Sequence, residues 1–482
     1  MMILLRLGSI NEETLVKMTF IRTPSIIILI YLTCKCLSNG CFPSFHLSQY
    51  SIQNESDMEL LTNYNKCHVF LVESIPENLT FSPGSPKHIS TYLAWKFLIN
   101  SAKTNISIAS FYWSLFVDEK FNFTTTEQGS DILQKLIHRK DVDLRIAQNG
   151  NKTNMTDLMN LTDSGAHIKW LDFHRLIGRG ILHTKLWLVD TMHSYLGSAN
   201  MDWRSLTQVK ELGVLMYDCP EMIEDLEKIW KVYWYLGNPN ASIPDVWPEE
   251  LHTIYNRSNP LVTEINGMQS RVYFSSSPTS FNPPGRNDDL DALLSVINGA
   301  EKFIYISVMN YIPEVLSYKK NTAPLFWPVI DDALRKAAIE RSVEVRLLIS
   351  KWKHSMANMY RYLDSIKSLN GISSGQIRVR YFIVPSCTEA QMRIPYARVN
   401  HNKYMVTDKV VYIGTSNWSG DYFLYTGGIA FIYEEGNITS NNSNEKFTDR
   451  DNEYSIPKPL SVRKQVENIF RRDWNSEFAY EL

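Results

Sequence analysis

The sequence predicts an α/β protein made of two similar lobes, each a mixed sheet flanked by helices, with one functional site at their interface. The first observation is a polar pattern, His-x-Lys-x4-Asp, that occurs at residues 183–190 and again at 401–408. The second is that strand-like and helix-like stretches alternate in the same order in both halves of the chain. The third is that each half carries only one copy of the pattern. We therefore expect the two copies to meet in a cleft between the lobes.

Length and charge restrict the functional classes before any motif is considered. The chain has 482 residues, 44% of them hydrophobic, which is enough for one large domain or two medium ones. Its 49 basic and 51 acidic side chains give a net charge of −2. A protein that coats nucleic acid is usually basic, so near-neutrality favours a local anion pocket over a broad electrostatic surface. It remains compatible with a nuclease that grips only a strand end.

The N-terminal segment has the pattern of a signal peptide. Basic residues precede an apolar run over residues 26–37 that is too short to span a bilayer. The small residues Ser38 and Gly40 fit a cleavage site, with the cut after Gly40. We therefore predict residues 1–40 as a signal peptide, and a luminal or secreted product. A short uncleaved membrane anchor is the alternative.

Glycosylation sequons agree with a secretory route and predict N-glycans. The asparagines in N-x-[Ser/Thr] triplets are Asn54, Asn78, Asn105, Asn122, Asn151, Asn154, Asn160, Asn240, Asn256, Asn417, Asn437 and Asn441. Asn417 is expected to stay unmodified because it belongs to the second motif. The cysteines form no C-x-x-C pair, so a zinc site is not expected.

The chain divides into five segments in order. A polar lead-in at 41–66 precedes the first lobe at 67–237, and a Pro- and Asn-rich linker at 238–266 leads to the second lobe at 267–482. Predicted strands lie at 69–72, 106–111, 142–146, 303–308 and 343–349, and predicted helices at 90–98, 131–139, 222–235, 328–341 and 461–474. An irregular stretch at 275–287 is expected to arch over the surface near the site.

Each copy of the motif brings together residues that can hold an anion. Side chains alternate along a strand, so the histidine and the lysine of each copy share a face. Each copy ends in Gly-[Ser/Thr]-x-Asn. The residues concerned are His183, Lys185 and Asn200 in the first copy, and His401, Lys403 and Asn417 in the second. Lysine ammoniums and asparagine amides are suited to a phosphodiester.

These residue types support phosphodiester cleavage. One imidazole can attack phosphorus while the other protonates the leaving oxygen, which gives a phosphohistidine that water resolves. The lysines and asparagines meet the charge, so no metal or cofactor is required. Asp190 and Asp408 stand at an odd offset from their histidines and should point away, so we predict that they are structural braces. A single His-x-Lys is common in ordinary strands, and only its repetition at the same spacing favours function.

The repeated pattern resembles the signature of the phospholipase D superfamily. The flanking segments at 195–213 and 393–407 are similar to its branch of animal lysosomal exonucleases, and the resemblance extends from about Cys67 to the C-terminus. It implies a 5′-3′ exonuclease that acts on single-stranded DNA and RNA in acidic vesicles. It also implies a disulfide between Cys67 and Cys219. Members of this branch generally keep an uncleaved membrane anchor, and the predicted signal peptide departs from that pattern.

The resemblance also bears on which histidine attacks. Related members carry a carboxylate that hydrogen-bonds the motif histidine. Glu211 occupies that place in the first half, whereas Gly428 stands at or beside it in the second. We therefore predict that Glu211 orients His183 as the nucleophile, and that His401 is the general acid and then the base. The opposite assignment stays open, as does a surface salt bridge for Glu211.

The substrate is not fixed by the motif alone. Removal of single nucleotides would suit a cleft lined by stacking rings. Candidate rings, each also compatible with a core position, are Tyr112, Trp113, Tyr311, Phe326, Trp327 and Trp418. A phospholipase D or transphosphatidylase that binds a phospholipid head group stays open, as does an inactive ligand-binding glycoprotein. The intact motifs oppose the latter, and no basic amphipathic helix supports the former. A homodimer is not decided by the sequence.

Overall fold

A computed structural model describes residues 22–23, 26–27, 32–37, 40–45, 67–118, 123, 125–151, 155–315, 323–372, 374–436 and 460–482. An N-terminal unit contains two antiparallel strand pairs, Arg22–Thr23 with Ile26–Ile27 and Leu32–Leu37 with Gly40–Phe45. Ser38 of the predicted cleavage site and residues 46–66 of the predicted lead-in lie outside the described residues, as do the sequons at Asn54, Asn122, Asn154, Asn437 and Asn441. No helix in the described stretches has the length and hydrophobicity needed to cross a membrane.

The first lobe is built on an eight-stranded mixed sheet. Across the sheet the strands are His167–Leu171, Asp143–Asn149, Asn105–Ser110, Leu186–Val189, His193–Gly197, Glu211–Tyr217, His68–Ser74 and Ile89–Ser90. The helices of this lobe are Thr91–Ser101, Glu127–His138, Thr156–Asp163, Phe173–Ile177, Trp203–Thr207 and Pro220–Leu236. Every residue of Leu186–Val189, the strand that completes the first motif, is buried, as expected for an apolar strand at the centre of a covered sheet.

The second lobe is built on a ten-stranded sheet. Eight of its strands, in order, are Ile377–Phe382, Glu344–Ser350, Phe303–Val308, Lys403–Thr407, Val410–Gly414, Gly428–Glu435, Met268–Ser277 and Asn287–Asp288. Leu261–Ile265 and Ala479–Glu481 pair at the margins. The helices are Asp289–Gly299, Val329–Arg341, Ala357–Lys367, Glu389–Arg393, Gly420–Leu424 and Val462–Trp474.

The two sheets repeat the same topology. Read in the order given, each begins with two parallel pairings, continues with four antiparallel pairings and ends with one parallel pairing. A short parallel pair is also repeated, Trp113–Ser114 with Met201–Asp202 and Tyr311–Ile312 with Trp418–Ser419. A short antiparallel pair, Glu314–Val315 with Leu325–Phe326, completes the second lobe. The predicted internal repeat and α/β class are therefore confirmed.

The last helix of each lobe contributes to a core that both lobes share. Pro220–Leu236 contacts strand Met268–Ser277 of the second lobe, and Val462–Trp474 contacts strand His68–Ser74 of the first. Each of these helices also forms a buried ion pair with the other lobe. The pairs are Asp225 with Arg286 at 2.7 Å and Arg472 with Glu73 at 2.6 Å. The two halves consequently fold against each other rather than as separate bodies, which fixes the position of the seam between the motifs.

The predicted helices and strands are present with boundaries shifted by a few residues, but two irregular stretches differ from expectation. The end of the predicted linker forms strand Leu261–Ile265. Residues 275–287 do not arch over the surface, because Ser275 and Ser277 complete a buried strand and Phe281 packs in the core. The serine hydroxyls donate to the Asp289 carboxylate and to the Thr426 carbonyl oxygen, so their polarity is satisfied inside the protein.

Candidate active site

Each motif histidine is held by the backbone of the opposite lobe. His183 lies just before strand Leu186–Val189, and its backbone N–H donates to the Gly427 carbonyl oxygen at 2.8 Å. His401 lies just before strand Lys403–Thr407, and its N–H donates to the Lys210 carbonyl oxygen at 2.8 Å. These two equivalent contacts cross the seam in opposite directions. The sequence repeat thus becomes a pseudo-twofold arrangement with one histidine from each lobe.

The two imidazoles face each other at a distance suited to one phosphate group. Their ring centroids are 6.4 Å apart, with an interplanar angle of 68°. Both residues are buried, with His183 5% and His401 9% exposed. A tetrahedral phosphorus between the rings would bring one nitrogen within attacking distance and the other within hydrogen-bond reach of the leaving oxygen. The ring separation leaves room for both imidazoles to flank a single anion.

The carboxylate of Glu211 contacts His401, and not His183 as the sequence predicted. Its Oε2 accepts from Nδ1 of His401 at 2.8 Å, and Ser198 Oγ donates to the same oxygen at 2.5 Å. The expected bond between Glu211 and His183 is therefore wrong. His183 Nδ1 instead donates to the Thr415 carbonyl oxygen at 2.8 Å. The physical reason is the cross-seam pairing, which brings the start of strand Glu211–Tyr217 beside the motif of the other lobe.

Both histidines consequently use Nδ1 for orientation, which leaves Nε2 available to a ligand in the pocket. Burial lowers the pKa of His183 well below its usual value, and the positive charges of Lys185 and Lys403 lower it further. Burial also lowers the pKa of His401, but the negative charge of Glu211 opposes this effect. A proton shared by the pair should therefore reside on His401.

The motif lysines and asparagines surround the imidazoles. Lys185 and Lys403 are buried, and each ammonium donates to the carbonyl oxygen of the histidine two residues before it. Burial lowers the pKa of Lys185 well below its usual value and that of Lys403 to about 7. Within the described chain, Oδ1 of Asn200 and Oδ1 of Asn417 are buried without a hydrogen-bond partner. An anion in this pocket would relieve the repulsion between the ammoniums, whereas the two amide oxygens can only accept from a donor such as water or a substrate hydroxyl.

Sequence reasoning missed two aromatic residues at the site. The ring of Phe111 lies 5.4 Å from that of His183, and the ring of Tyr422 lies 5.1 Å away with its edge toward the imidazole. The Tyr422 hydroxyl accepts from Nδ2 of Asn417 at 3.0 Å. A positional signal existed, because Tyr422 follows Asn417 by five residues and Ser205, which contacts the Asn200 backbone, follows Asn200 by the same number.

The motif aspartates lie away from the reactive atoms. The Asp190 carboxylate accepts from the backbone N–H groups of Lys103, Thr104 and Asn105, at 2.6 to 2.9 Å. The Asp408 carboxylate accepts from the N–H groups of residues 301–303. Each aspartate therefore fixes the start of the strand that neighbours its own motif strand.

The remaining sequence candidates separate by exposure. Cys67 and Cys219 form a disulfide. Asn417 is buried, whereas the sequon asparagines Asn78, Asn151, Asn160 and Asn240 are exposed. Among the candidate rings, Trp113, Tyr311 and Trp418 are buried, Tyr112 and Trp327 are half-buried, and Phe326 is 63% exposed. Tyr112 donates its hydroxyl to Asp202 at 2.7 Å. Half of the candidate rings are therefore part of the core.

The sequence and the geometry can be compared with known proteins. The family described as "PLD3/4, PLD-like domain" matches residues 82–387. A protein of Xenopus tropicalis named 5'-3' exonuclease PLD3 is 43% identical over 442 residues, which cover 89% of this chain and 85% of that protein. The Homo sapiens protein of the same name is 44% identical, with 87% of this chain and 81% of that protein covered.

Among solved structures, the phosphatidylserine synthase of Haemophilus influenzae Rd KW20 is 12% identical to this chain. The match has a TM-score of 0.49 and covers 81% of this chain and 84% of that one. The family match spans more than half of the chain, and the relatives match most of their own length. With its repeated motif and its cross-seam pair of histidines, the chain belongs to the PLD3/4 family of phospholipase D-like proteins.

Proposed function

We propose that this protein is a phosphodiesterase that removes nucleotides from the 5′ end of single-stranded DNA and RNA through a phosphohistidine. The observation that carries the proposal is the 6.4 Å separation of two buried imidazoles, one from each lobe. The direction of degradation comes from the relatives, which are named 5'-3' exonucleases. The preference for single strands is the expectation drawn from the motif flanks.

His183 is proposed as the nucleophile, for a reason that differs from the sequence argument. Its low pKa keeps the imidazole neutral, and the bond from Nδ1 to the Thr415 carbonyl leaves a lone pair on Nε2. Nε2 attacks phosphorus, a P–N bond forms, and the P–O bond to the leaving group breaks. His401, whose positive form is favoured by Glu211, gives its Nε2 proton to the leaving oxygen.

The second step returns the enzyme to its starting state. Neutral His401 takes a proton from water, and the hydroxyl attacks phosphorus while the P–N bond to His183 breaks. Lys185, Lys403 and the two motif asparagines bind the non-bridging oxygens in both steps and stabilise the charge that develops on them. Asp190 and Asp408 take no part in proton transfer in either step.

Entry into the secretory route and N-glycosylation are part of the proposal. Four sequon asparagines are exposed in the described chain, namely Asn78, Asn151, Asn160 and Asn240. We place the mature protein in the lysosome or outside the cell. Enzymatic removal of N-glycans from protein secreted by animal cells should increase its electrophoretic mobility, and replacement of these four asparagines by glutamine should reduce that change.

The activity is tested with defined substrates at pH ~5 to 7, the range in which imidazole pairs titrate. Oligonucleotides with a 5′-hydroxyl should release nucleotides, while oligonucleotides blocked at the 5′ end should not. Activity should persist in EDTA and should be lost in His183→Ala and His401→Ala proteins. Release of choline from phosphatidylcholine without release of nucleotides would replace the nuclease with a lipid enzyme. Neither product would indicate a ligand-binding protein.

A further inference from the structure

Three aromatic side chains form a contiguous cluster at the surface of the second lobe. The rings of His354 and Tyr396 are stacked, with centroids 4.8 Å apart and an interplanar angle of 20°. The ring of Trp352 meets His354 edge-on, also at 4.8 Å. Tyr396 is 63% exposed and His354 is exposed, while Trp352 is half-buried. We call these residues the ring triad. It presents a π surface to solvent without belonging to the hydrophobic core.

Contacts from the first lobe fix the segment that carries Tyr396 at the seam. The Pro395 carbonyl oxygen accepts from the Arg204 guanidinium at 2.7 Å. The Arg398 backbone N–H donates to the Gln208 carbonyl oxygen at 3.1 Å. Arg204 and Gln208 belong to the turn of chain that follows Asn200 of the first motif. Tyr396 is thus held on both sides by residues that position the catalytic pocket.

Trp352 approaches the same pocket from the second lobe. It follows strand Glu344–Ser350, and Ser350 Oγ accepts from the backbone N–H of Asn400 at 3.2 Å. Asn400 immediately precedes His401. The strand ends beside Phe303–Val308 in parallel, so the loop that follows it leaves the sheet at the edge where the second motif lies. The ring triad therefore borders the motif cleft.

The backbone of Tyr396 is strained, and packing of its exposed ring does not account for the strain. Its φ is +56°, and that of Arg398 is also +56°. Bulky residues rarely adopt this left-handed conformation, whereas Gly and Asn adopt it readily. Strain of this kind persists where the surrounding contacts impose it, and it is concentrated at functional sites. An exposed aromatic ring at this position is costly to the fold, so its value lies in what the ring binds.

We propose that the ring triad is a stacking platform for a nucleobase of the single-stranded substrate, an inference that rests on the proposed function. Exposed rings bind bases of any sequence through their π faces. Lys353, exposed between Trp352 and His354, is placed to meet the phosphate backbone beside the stacked base.

The platform also supplies an asymmetry that a one-directional exonuclease needs. The catalytic residues are related by a pseudo-twofold arrangement, and the bond between His401 and Glu211 is the difference that the pocket itself supplies. In the first lobe the strand equivalent to Glu344–Ser350 is Asp143–Asn149, and residues 150–154 after it contain no aromatic residue. The platform lies on the second-lobe side of the pocket and adds a further difference between the two sides, which orients the strand across the two histidines.

The test compares an oligothymidylate with the same oligonucleotide carrying abasic residues at its 5′ end. In the natural protein the abasic substrate should show a KM about tenfold higher, because the stack is lost. Tyr396→Asn accommodates the left-handed backbone and removes the ring. It should raise KM about tenfold for the base-bearing substrate, change kcat less than about twofold, and leave the abasic substrate unaffected. Tyr396→Phe should behave as the natural protein.

A matched control is Tyr235→Asn, which removes another partly exposed ring, 39% exposed, from the end of helix Pro220–Leu236. It should change neither substrate. Equal loss by Tyr396→Asn on both substrates, or no loss on either, would overturn the platform. If the natural protein cleaves neither oligonucleotide, the proposed nuclease function fails. Fluorescence anisotropy of the labelled oligonucleotides then tests the platform alone, since tighter binding of the base-bearing strand must disappear in Tyr396→Asn.

Discussion

Replacement of Glu211 by glutamine should damage the acid step while leaving the fold intact. The carboxylate bonds His401 Nδ1 at 2.8 Å inside the protein and is itself fully buried. Charge-assisted hydrogen bonds of this kind contribute about 1.5–3 kcal/mol. At about 1.4 kcal/mol for each factor of ten, Glu211→Gln should lower kcat/KM by about 10- to 150-fold. Glutamine preserves the shape of the side chain and can still accept from Ser198.

The pH dependence of the Glu211→Gln protein distinguishes this role from simple damage. Glu211 opposes the effect of burial and raises the pKa of His401. Its removal should lower that pKa further, so less His401 is protonated at a given pH. The alkaline limb of kcat/KM should therefore move to lower pH, by about one to two pH units if the bond is worth about 1.5–3 kcal/mol. Rates measured from pH ~4 to ~9 with an oligonucleotide check this.

The matched control is Glu314→Gln, because Glu314 is a buried carboxylate that accepts from Asn358 at 2.9 Å and Tyr362 at 2.6 Å. It should preserve both the rate and the pH profile. Thermal melting should show that both variants remain folded. A folded Glu211→Gln enzyme with an unchanged alkaline limb would refute the claim that this carboxylate keeps the proton on His401.

The braces, a lysine and a second buried carboxylate give the remaining predictions. Asp190→Ala should lower the free energy of unfolding, measured with urea, by about 1–3 kcal/mol because backbone donors lose their partner, and Asp408→Ala should act in the same direction. The kcat of both folded proteins should be nearly unchanged. A large loss of kcat would contradict the structural role of these aspartates. Because the pKa of Lys403 is about 7, inhibition by inorganic phosphate should weaken as pH rises through this value. The loss of inhibition should be smaller in the Lys403→Arg protein. An inhibition constant that does not change with pH would contradict the role of Lys403 as an anion-binding ammonium. Burial raises the pKa of Asp289 to about 7 from 3.8, so the folded state binds the proton more tightly and stability falls as pH rises between these values. Asp289→Asn should therefore raise Tm at pH ~7.5 more than at pH ~5, and an equal change at both would contradict this.

The elements that sequence predicted well are those with strong local patterns. Strand Leu186–Val189 is continuously apolar, and helix Val329–Arg341 has an apolar face bounded by Pro328. The repeated motif predicted the meeting of two lobes because the His-x-Lys-x4-Asp spacing is identical in both copies. The prediction for residues 275–287 is wrong at the start of this stretch, because Pro278, Pro283, Pro284 and Gly285 indicate irregular chain but do not prevent the preceding serines from forming a strand. Here buried partners satisfy the serine hydroxyls, and that partnership arises only in the folded protein.

The contacts that decide chemistry were beyond the reach of local pattern. Glu211 was recognised as a carboxylate near a motif, but its partner lies 190 residues away, in the other lobe. Thr415 acts through its backbone carbonyl, which no side-chain pattern reveals. Tyr422 and the ring triad reach the cleft through turns whose direction depends on contacts between lobes. The sequence identifies the residue types of the site, whereas the contacts between the lobes decide which groups each histidine is bonded to.

The most direct measurement is the site of phosphorylation during turnover. His401→Ala protein, mixed briefly with a slow oligonucleotide substrate and analysed by mass spectrometry, should carry the nucleotide phosphate on residue 183. His193→Ala, which alters another histidine of the same lobe that stacks on Tyr217, should turn over normally and accumulate no adduct. A label found on His401 in His183→Ala protein, and absent from residue 183 in His401→Ala protein, would contradict the account.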